Sequence, residues 1–351
     1  MTRPTLPRTA PGTPLAGARR RVAAPAAGRL VTAEPASSAD LPRVLRATAP
    51  GLDLAQWLRQ NHDEVHRHLW ERGAVLFRGF PVADAEGLEQ LVTALSPATL
   101  DYVYGSTPRS RESAGVYTST EYPADQTIPQ HSEMAYASTW PMKLWFLCTV
   151  AAAEGGATPL ADNRKVFARL DPGLRDRFIE HGVMYVRNYG AGLDLPWQRV
   201  FETTDRAEVE RFCRVAGIEY RWLDEDRLRT RQVCQVTVRH PQTGEWAWFN
   251  QAHLFHPTNL GPEVRESLLA TFAEEDLPRN VLFGDGSPIP DQDLAEIRAA
   301  FEAETVAEPW QSGDVLLVDN ILASHGRQPY AGPRKVLVSM AEPYGTTQGE
   351  K

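Results

Sequence analysis

The chain has 351 residues, a formal net charge of −8 and three widely spaced cysteines, Cys148, Cys213 and Cys234. A chain of this length can bury a large core without disulfides, and these cysteines match neither a disulfide framework nor a zinc knuckle. The acidic balance argues against a nucleic-acid partner, and the chain lacks the run of about 18 apolar residues that a membrane span needs. We therefore expect a cytoplasmic protein with reduced thiols and no secretory signal.

Residues 1–40 are rich in Pro, Ala, Gly, Ser and Arg and contain few aromatic or β-branched side chains. Such a segment buries too little apolar surface to offset its ordering entropy, so we expect a disordered tail. Its arginines at positions 19–21 could contact an acidic partner, although a solvated tail is the simpler interpretation. Residues 41–351 are expected to form a single folded domain.

Hydrophobic periodicity predicts a mixed order of helices and strands. A helix is expected over residues 52–72 with Gly73 as its C-cap, and its histidines, His62, His66 and His68, have charged neighbours that indicate a solvated face. Further amphipathic helices are predicted at 84–95, 171–182, 205–217, 261–276 and 291–305. Short β-rich runs predict strands at 74–82, 142–152, 182–189, 234–241, 245–250, 314–320 and 334–343.

These elements do not follow a regular βαβ order, and the sequence has neither of the glycine-rich loops that bind nucleotide phosphates. Many short strands interrupted by helices favour a β-sandwich or a jelly roll. The prediction is a mainly-β fold of the α+β class, with helical insertions around residues 171–300.

Two histidines and a glutamate are candidate metal ligands. His131 and Glu133 are two residues apart, so both would point to the same side of an extended segment. His325, placed at the end of the strand predicted at 314–320, is the best candidate for the third ligand. Two imidazoles and one carboxylate leave open positions on a metal, as in non-heme Fe(II) oxygenases. The alternative is a polar turn that leads into a buried strand.

Arg334, at the start of the last predicted strand, could bind the far carboxylate of a dicarboxylate cosubstrate through its fork of N–H donors. Because side chains alternate along a strand, only one of Arg334 and Lys335 can face the interior. His253 and His256 form an H-x-x-H pair that could indicate a second metal, but no acidic or cysteine partner is close in sequence.

Three polar residues are candidates for substrate contacts. Asn250 and Gln251 follow a strand of alternating aromatics, and Glu121 precedes the H-x-E. A buried carboxylate at Glu121 could pair with a substrate ammonium, or with an arginine as a structural partner. The aromatic run after Thr139 is expected to be mainly core strand.

Five segments resemble the Fe(II)/2-oxoglutarate-dependent dioxygenases of the taurine dioxygenase and clavaminate synthase-like superfamily, over roughly residues 70–345. They are VLFRGFP, VYTSTEYPADQTIPQHSEMAY, WPMKLWFLC, GGATPLADNRKVF and GDVLLVDNILASHGRQPYAGPRKVLVSM. The branch they are most similar to contains the syringomycin biosynthesis aspartyl hydroxylase. The resemblance implies a double-stranded β-helix (jelly-roll) core.

The resemblance also implies roles for individual residues. The family's facial triad falls on His131, Glu133 and His325. Its 2-oxoglutarate-binding threonine falls on Thr158, in the GGATP segment. Its cosubstrate arginine falls on Arg334, with Arg327 as a second candidate contact. Thr158 could also be an ordinary turn residue after the two glycines.

The implied activity is oxidation of a substrate C–H bond with Fe(II), 2-oxoglutarate and O₂. Related halogenases have a small residue in place of the ligand carboxylate, so Glu133 favours hydroxylation, with desaturation, epoxidation and cyclisation as alternatives. The branch suggests an amino-acid-like substrate, free or carried as a thioester on a peptidyl carrier protein, in antibiotic or other specialised-metabolite biosynthesis. Val338, where taurine dioxygenase has a sulfonate-binding arginine, disfavours a sulfonate.

Two other classes remain as alternatives. A non-catalytic jelly-roll binding protein would have the fold without the metal. A zinc or cofactor-independent hydrolase has no support from a motif such as G-x-S-x-G.

Overall fold

The structure is a computed structural model that describes residues 30–35, 40–96, 98–100, 104–106, 109–113, 115–119, 122–190 and 194–345. Its strands are β1 (Val31–Pro35), β2 (Arg43–Ala47), β3 (Ala74–Arg78), β4 (Arg111–Ser113), β5 (Val116–Thr118), β6 (Ile128–His131), β7 (Thr139–Val150), β8 (Glu154–Gly155), β9 (Leu160–Asp162), β10 (Val183–Tyr189), β11 (Glu219–Trp222), β12 (Leu228–Cys234), β13 (Thr237–Arg239), β14 (Trp246–Trp248), β15 (Arg279–Phe283), β16 (Thr305–Val306), β17 (Val315–Asp319), β18 (Ala323–Arg327), β19 (Tyr330–Ala331) and β20 (Lys335–Gly345). Its α-helices are α1 (Leu54–Gln60), α2 (His62–Arg72), α3 (Ala85–Leu95), α4 (Asn163–Arg169), α5 (Pro172–His181), α6 (Trp197–Val200), α7 (Arg206–Ala216), α8 (Ala252–Phe255), α9 (Pro262–Thr271) and α10 (Asp291–Glu304).

Two sheets form the core of the fold. The major sheet has the strand order β1-β2-β3-β17-β7-β20-β5-β4, and the minor sheet has the order β16-β9-β18-β6. Apolar side chains from both sheets share one buried cluster, in which Phe146 and Val338 of the major sheet join Leu160 and Ala323 of the minor sheet. This arrangement is a jelly roll with helices added to it, which confirms the predicted fold class.

Helices cover the other face of the major sheet. Leu58, Leu69 and Leu91, one from each of α1 to α3, belong to the same buried cluster as Phe77 and Trp145. With both faces covered, every residue of β3 and of β17 is buried. The strands predicted around residues 74–82 and 314–320 therefore read as continuous apolar runs rather than as alternating patterns.

The segment 171–300 contains more than helical insertions. It includes α5 to α10 and also a second four-stranded sheet with the order β11-β12-β10-β15. Strand β12 was not predicted, because its sequence, LRTRQVC, mixes charged and polar residues with apolar ones. Its Arg229 and Gln232 are buried nonetheless, since each donates a hydrogen bond to an acceptor on another element.

Three details of the sequence prediction were wrong. The first helix is two helices, α1 and α2, that meet at Asn61. His66 and His68 are buried rather than solvated, and the Lys143 Nζ donates to His66 Nε2 at 2.7 Å. Residues 31–35, placed in the disordered tail, form strand β1, which pairs with β2.

Cys148, Cys213 and Cys234 are all unpaired and buried. Within the described ranges, the helices are too short or too polar to cross a lipid bilayer.

Candidate metal centre and cosubstrate cavity

His131, Glu133 and His325 come together on the minor sheet. Strands β6 and β18 are antiparallel neighbours with His131 opposite His325, and the two imidazole ring centroids are 4.3 Å apart. One ligand atom from each of the three residues lies within 4.8 Å of the other two. The three candidate metal ligands that were named from the sequence therefore lie together in the structure.

The backbone that carries these residues differs from the one expected. His325 lies in the middle of β18 and not at the end of β17, because a turn at residues 320–322 separates the two strands. Strand β6 ends at His131, so Glu133 lies in the turn that follows, where Met134 has a φ of 56°. Alternation along a strand does not explain why Glu133 and His131 face the same point.

The two imidazoles are in the state that a metal requires. The His131 Nδ1–H donates to the Pro129 carbonyl at 2.9 Å, which leaves the Nε2 lone pair available. Burial lowers the pKa of His131, and burial together with the nearby His131 holds the pKa of His325 well below its usual range. Both rings are therefore neutral near pH 7, and with Glu133 they form a donor set that fits Fe(II).

Buried amide side chains fix the turn that carries Glu133. The Asn320 Oδ1 accepts the Glu133 N–H at 2.7 Å, and its Nδ2 donates to the Glu133 carbonyl and to the Pro141 carbonyl, each at 2.9 Å. Ser132, the residue before Glu133, is held as well, because its carbonyl accepts a hydrogen bond from the Gln251 Nε2 at 2.7 Å. The H-x-E turn is thus held from two separate loops.

Arg109 is a site residue that the sequence did not reveal. Its Nη2 lies 2.5 Å from Glu133 Oε2, and both side chains are only 4% exposed. The same Glu133 oxygen lies 4.0 Å from His325 Nε2, so Arg109 contacts the carboxylate on its metal-facing oxygen. Its segment, STPRSRE, contains two arginines, Arg109 and Arg111, and follows no recognisable pattern that would single out Arg109.

A cavity opens beside the two histidines, between the sheets. Its described lining includes His131, His325, Thr158, Arg327 and Arg334. The predicted cosubstrate residues therefore lie in the same cavity as the candidate metal ligands. Lys335 points elsewhere and pairs with Glu112 at 3.0 Å, so the interior position belongs to Arg334.

Gly156, two residues before Thr158, has a steric role. Gly156 has a φ of +70°, and a Cβ there would come within 3.0 Å of the Arg334 and Tyr330 side chains. Arg334 Nε donates to the Gly156 carbonyl at 2.9 Å, and its guanidinium stacks over the Tyr330 ring. The glycine therefore allows the close contact that orients the arginine.

Thr158 and Arg327 differ in how much of their hydrogen-bonding capacity remains. Thr158 Oγ1 accepts the Trp310 indole N–H at 3.1 Å, so its own hydroxyl hydrogen is available to an acceptor in the cavity. Arg327 donates to the carbonyls of Tyr122 and Gln126 at 2.9 and 2.8 Å, and also to that of Pro123. Arg327 therefore anchors the loop before β6.

Of the three predicted substrate residues, the two that the structure describes, Asn250 and Gln251, do not line this cavity. Asn250 is buried and donates to the Val236 carbonyl at 3.0 Å, and Gln251 is engaged with Ser132. Glu121 lies outside the described residues.

The H-x-x-H pair does not form a second metal site. His253 Nε2 donates to the Gln130 carbonyl at 2.9 Å, and His256 Nδ1 lies 2.9 Å from Thr258 Oγ1. Within the described part of the chain, only His131, Glu133 and His325 form a cluster suited to a metal.

Solved structures with the same architecture include PvcB from Pseudomonas aeruginosa, with a TM-score of 0.52, 16% identity and coverage of 89% of this chain and 91% of that one. A taurine dioxygenase from Burkholderia xenovorans has a TM-score of 0.52, 16% identity and coverage of 92% and 93%. At these identities the likeness supports the fold alone.

Sequence comparisons are more specific. The chain is 44% identical over 283 residues to the dapdiamide synthesis protein DdaC of Enterobacter agglomerans, covering 81% of this chain and 86% of that protein. It is 34% identical over 289 residues to a clavaminate synthase-like protein of Arabidopsis thaliana, covering 78% and 83%. The model of the taurine catabolism dioxygenase TauD, TfdA family matches residues 37–340. As its sequence predicted, the chain belongs to the TauD/TfdA family and is an Fe(II)- and 2-oxoglutarate-dependent dioxygenase.

Proposed function

We propose that this dioxygenase hydroxylates a C–H bond of an amino acid or an amino-acid-derived molecule in specialised-metabolite biosynthesis. The observation that carries the proposal is the cavity in which the His131, Glu133 and His325 cluster adjoins Thr158 and Arg334. Similarity to a protein named for dapdiamide synthesis supports the substrate class and the biosynthetic role.

In this proposal His131, Glu133 and His325 hold Fe(II), while Arg334 and Thr158 bind the distal carboxylate of 2-oxoglutarate. The chemistry that Fe(II) would supply when bound there is the O₂-dependent decarboxylation of 2-oxoglutarate to succinate and CO₂, coupled to oxidation of the substrate C–H bond. Arg334 supplies a charged donor pair and Thr158 a hydroxyl donor, so the cosubstrate is oriented before the reaction begins. Phe146, whose ring centroid lies 5.2 Å from that of His325, helps to exclude water from the site.

The ligand carboxylate supports oxygenation over halogenation. In this proposal Glu133 takes the ligand position that a halide would need, and Asn320 hydrogen-bonds to both the N–H and the carbonyl of its backbone. Desaturation, epoxidation and cyclisation use the same cofactor chemistry and remain alternative outcomes.

We also propose that the substrate is carried by a peptidyl carrier protein and that the enzyme acts in the cytoplasm. The resemblance to the syringomycin aspartyl hydroxylase branch favours the carrier. The unpaired state of all three cysteines supports a reducing compartment.

Anaerobic addition of Fe(II) and 2-oxoglutarate should produce the weak visible charge-transfer band of the chelate. Admission of O₂ with a panel of free and carrier-tethered amino acids should then give succinate and a product heavier by one oxygen atom. Absence of both the band and succinate would favour the non-catalytic jelly-roll alternative. A product lighter by two hydrogen atoms would identify desaturation or cyclisation.

A further inference from the structure

Arg109 is held in the cavity by the fold. On the N-terminal side of its loop, the Tyr104 N–H donates to the Val200 carbonyl at 2.9 Å, and Arg187 and Arg279 donate to the carbonyls of Gly105 and Ser106. Arg187 and Arg279 are opposite each other on β10 and β15. The sheet of β11, β12, β10 and β15 therefore contributes to the position of the loop that carries Arg109.

The C-terminal side of the loop is fixed as well. The Thr118 N–H of β5 donates to the Ser110 carbonyl at 2.8 Å, and the Ser110 N–H donates to Thr118 Oγ1 at 2.9 Å. Contacts on both sides leave Arg109 little freedom to turn away from Glu133. Its contact with the ligand carboxylate is therefore a property of the fold.

The described lining of the cavity is strongly cationic. It contains Arg109, Arg327 and Arg334 but no carboxylate, and Glu133 lies next to it. Among the described lining residues positive charges therefore outnumber negative ones, so the cavity favours an anionic ligand. A carboxylate near Arg109 would form a charge-assisted hydrogen bond with its guanidinium.

The three arginines are not equivalent. Arg327 is engaged by backbone carbonyls, and Arg334 lies beside Thr158 at the distal end of the proposed cosubstrate site. Arg109 alone contacts a candidate metal ligand directly. A carboxylate held at the metal would therefore lie close to its guanidinium.

We propose that Arg109 binds a carboxylate of the ligand held at the metal while it also contacts Glu133. This carboxylate belongs either to 2-oxoglutarate, as the group next to its keto carbon, or to the substrate. The inference rests on the proposed function of the cavity. Arg109 is then a binding residue whose loss lowers the affinity for anions more than it changes the affinity for the metal.

The relative changes in metal affinity and in anion affinity distinguish this role from a merely structural one. Removing the guanidinium removes its repulsion of a divalent cation but also its support of Glu133, and these effects on metal affinity oppose each other. The attraction for a carboxylate is lost without such an offset. We expect Arg109→Gln to change Mn(II) affinity by less than about threefold and to weaken anion binding by roughly tenfold or more.

The test is anaerobic calorimetric titration of the full chain, first with Mn(II) and then with 2-oxoglutarate. Arg109→Gln and Arg109→Lys are compared with wild type and with Arg111→Gln, which removes an exposed guanidinium at the start of the adjacent strand β4. Arg109→Lys keeps the charge without the fork, so its affinity for 2-oxoglutarate should be intermediate. Arg111→Gln should match wild type.

A second arm distinguishes the two sources of the carboxylate. The Mn(II)- and 2-oxoglutarate-loaded proteins are titrated with the common amino acids and their primary α-amides. They are also titrated with carrier-mimicking thioesters of aspartic and glutamic acid, which keep a side-chain carboxylate, and with those of asparagine and glutamine, which lack it. A loss confined to 2-oxoglutarate assigns the cosubstrate, and a loss confined to the carboxylate member of either comparison assigns the substrate. Unchanged binding in both arms would overturn the proposal, as would equal losses for Mn(II) and anions with a lower melting temperature. Failure of wild type to bind 2-oxoglutarate would instead refute the proposed function.

Discussion

His131 and Glu133 of the candidate metal site are each oriented by hydrogen bonds on atoms other than the ones that would bind a metal. His131 is held through Nδ1 by the Pro129 carbonyl, and Glu133 is held through its backbone by Asn320. Partners of this kind fix both the tautomer and the orientation of a ligand before any metal binds. The orientation of His131 and of the Glu133 backbone therefore rests on hydrogen bonds within the protein.

Replacing either histidine should remove the metal site. Loss of outer-shell partners alone costs about 10- to 100-fold in metal affinity, so His131→Ala or His325→Ala should lower succinate formation by more than 100-fold. Succinate is measured at saturating 2-oxoglutarate, with circular dichroism to verify the fold. His181→Ala removes an imidazole paired with Asp285 away from the site and should keep full activity. Activity retained in either site variant would exclude that residue from the triad.

Neighbouring cations at the start of β20 allow a paired test of cosubstrate binding. Arg334 lines the cavity, whereas Lys335 pairs with Glu112 outside it. Arg334→Gln should raise the KM for 2-oxoglutarate by roughly 10- to 100-fold, because a charged hydrogen-bond pair is lost, while Lys335→Gln should change it less than about twofold. Steady-state kinetics at varied 2-oxoglutarate concentration measures both. Equal KM values for the two variants would contradict the assignment.

At the scale of elements, the sequence predicted what local periodicity and a family motif can encode. It located β3, β7, β17 and β20 and the residues His131, His325 and Thr158. It did not place Glu133 in a turn or His325 in β18, because turns defined by side-chain hydrogen bonds leave no periodic pattern. Arg109 was missed for a related reason, since its contact with Glu133 depends on tertiary packing of a loop.

The turn between β17 and β18 shows how an element positions a ligand. Asp319 Oδ1 accepts the N–H groups of Ile321 and Leu322, each at 3.1 Å, and its Oδ2 lies 2.9 Å from His240 Nε2. This turn presents Asn320 to the Glu133 backbone on the neighbouring segment. The D-N pair at the end of a strong strand was thus a sequence signal for a site-building turn.

Asn320→Ala should therefore weaken both the fold and the metal site. Asn320 is fully buried, and the substitution leaves the Glu133 N–H, the Glu133 carbonyl and the Pro141 carbonyl without this partner. We expect the free energy of unfolding to fall by about 3 kcal/mol and Mn(II) affinity to fall 10- to 100-fold. Urea denaturation and Mn(II) titration measure the two effects. A loss of stability below about 1 kcal/mol would show that the turn forms without these bonds.

At the scale of the whole molecule, buried neutral histidines connect separate layers of the fold. His253 of α8 donates from Nε2 to Gln130 of β6 and packs against Phe301 of α10, with ring centroids 4.6 Å apart. Its Nδ1 is buried and has no hydrogen-bond partner in the described structure. Protonation would place an unpaired N–H and a charge in this interior, and burial accordingly lowers the pKa of His253 to about 4.

This depressed pKa predicts acid sensitivity that one substitution should reduce. Between pH 6.5 and about 4 the unfolded chain binds a proton at His253 that the folded protein does not, so stability falls as the pH falls through this window. The cost is about 1.4 kcal/mol per pH unit, or about 3 kcal/mol in all. His253→Gln keeps a donor for the Gln130 carbonyl but does not titrate, so its unfolding free energy should fall by about 3 kcal/mol less than that of wild type between pH 7 and pH 4. Urea denaturation across this range, with a chelator present to exclude metal linkage, measures the difference, and parallel curves for the two proteins would contradict it.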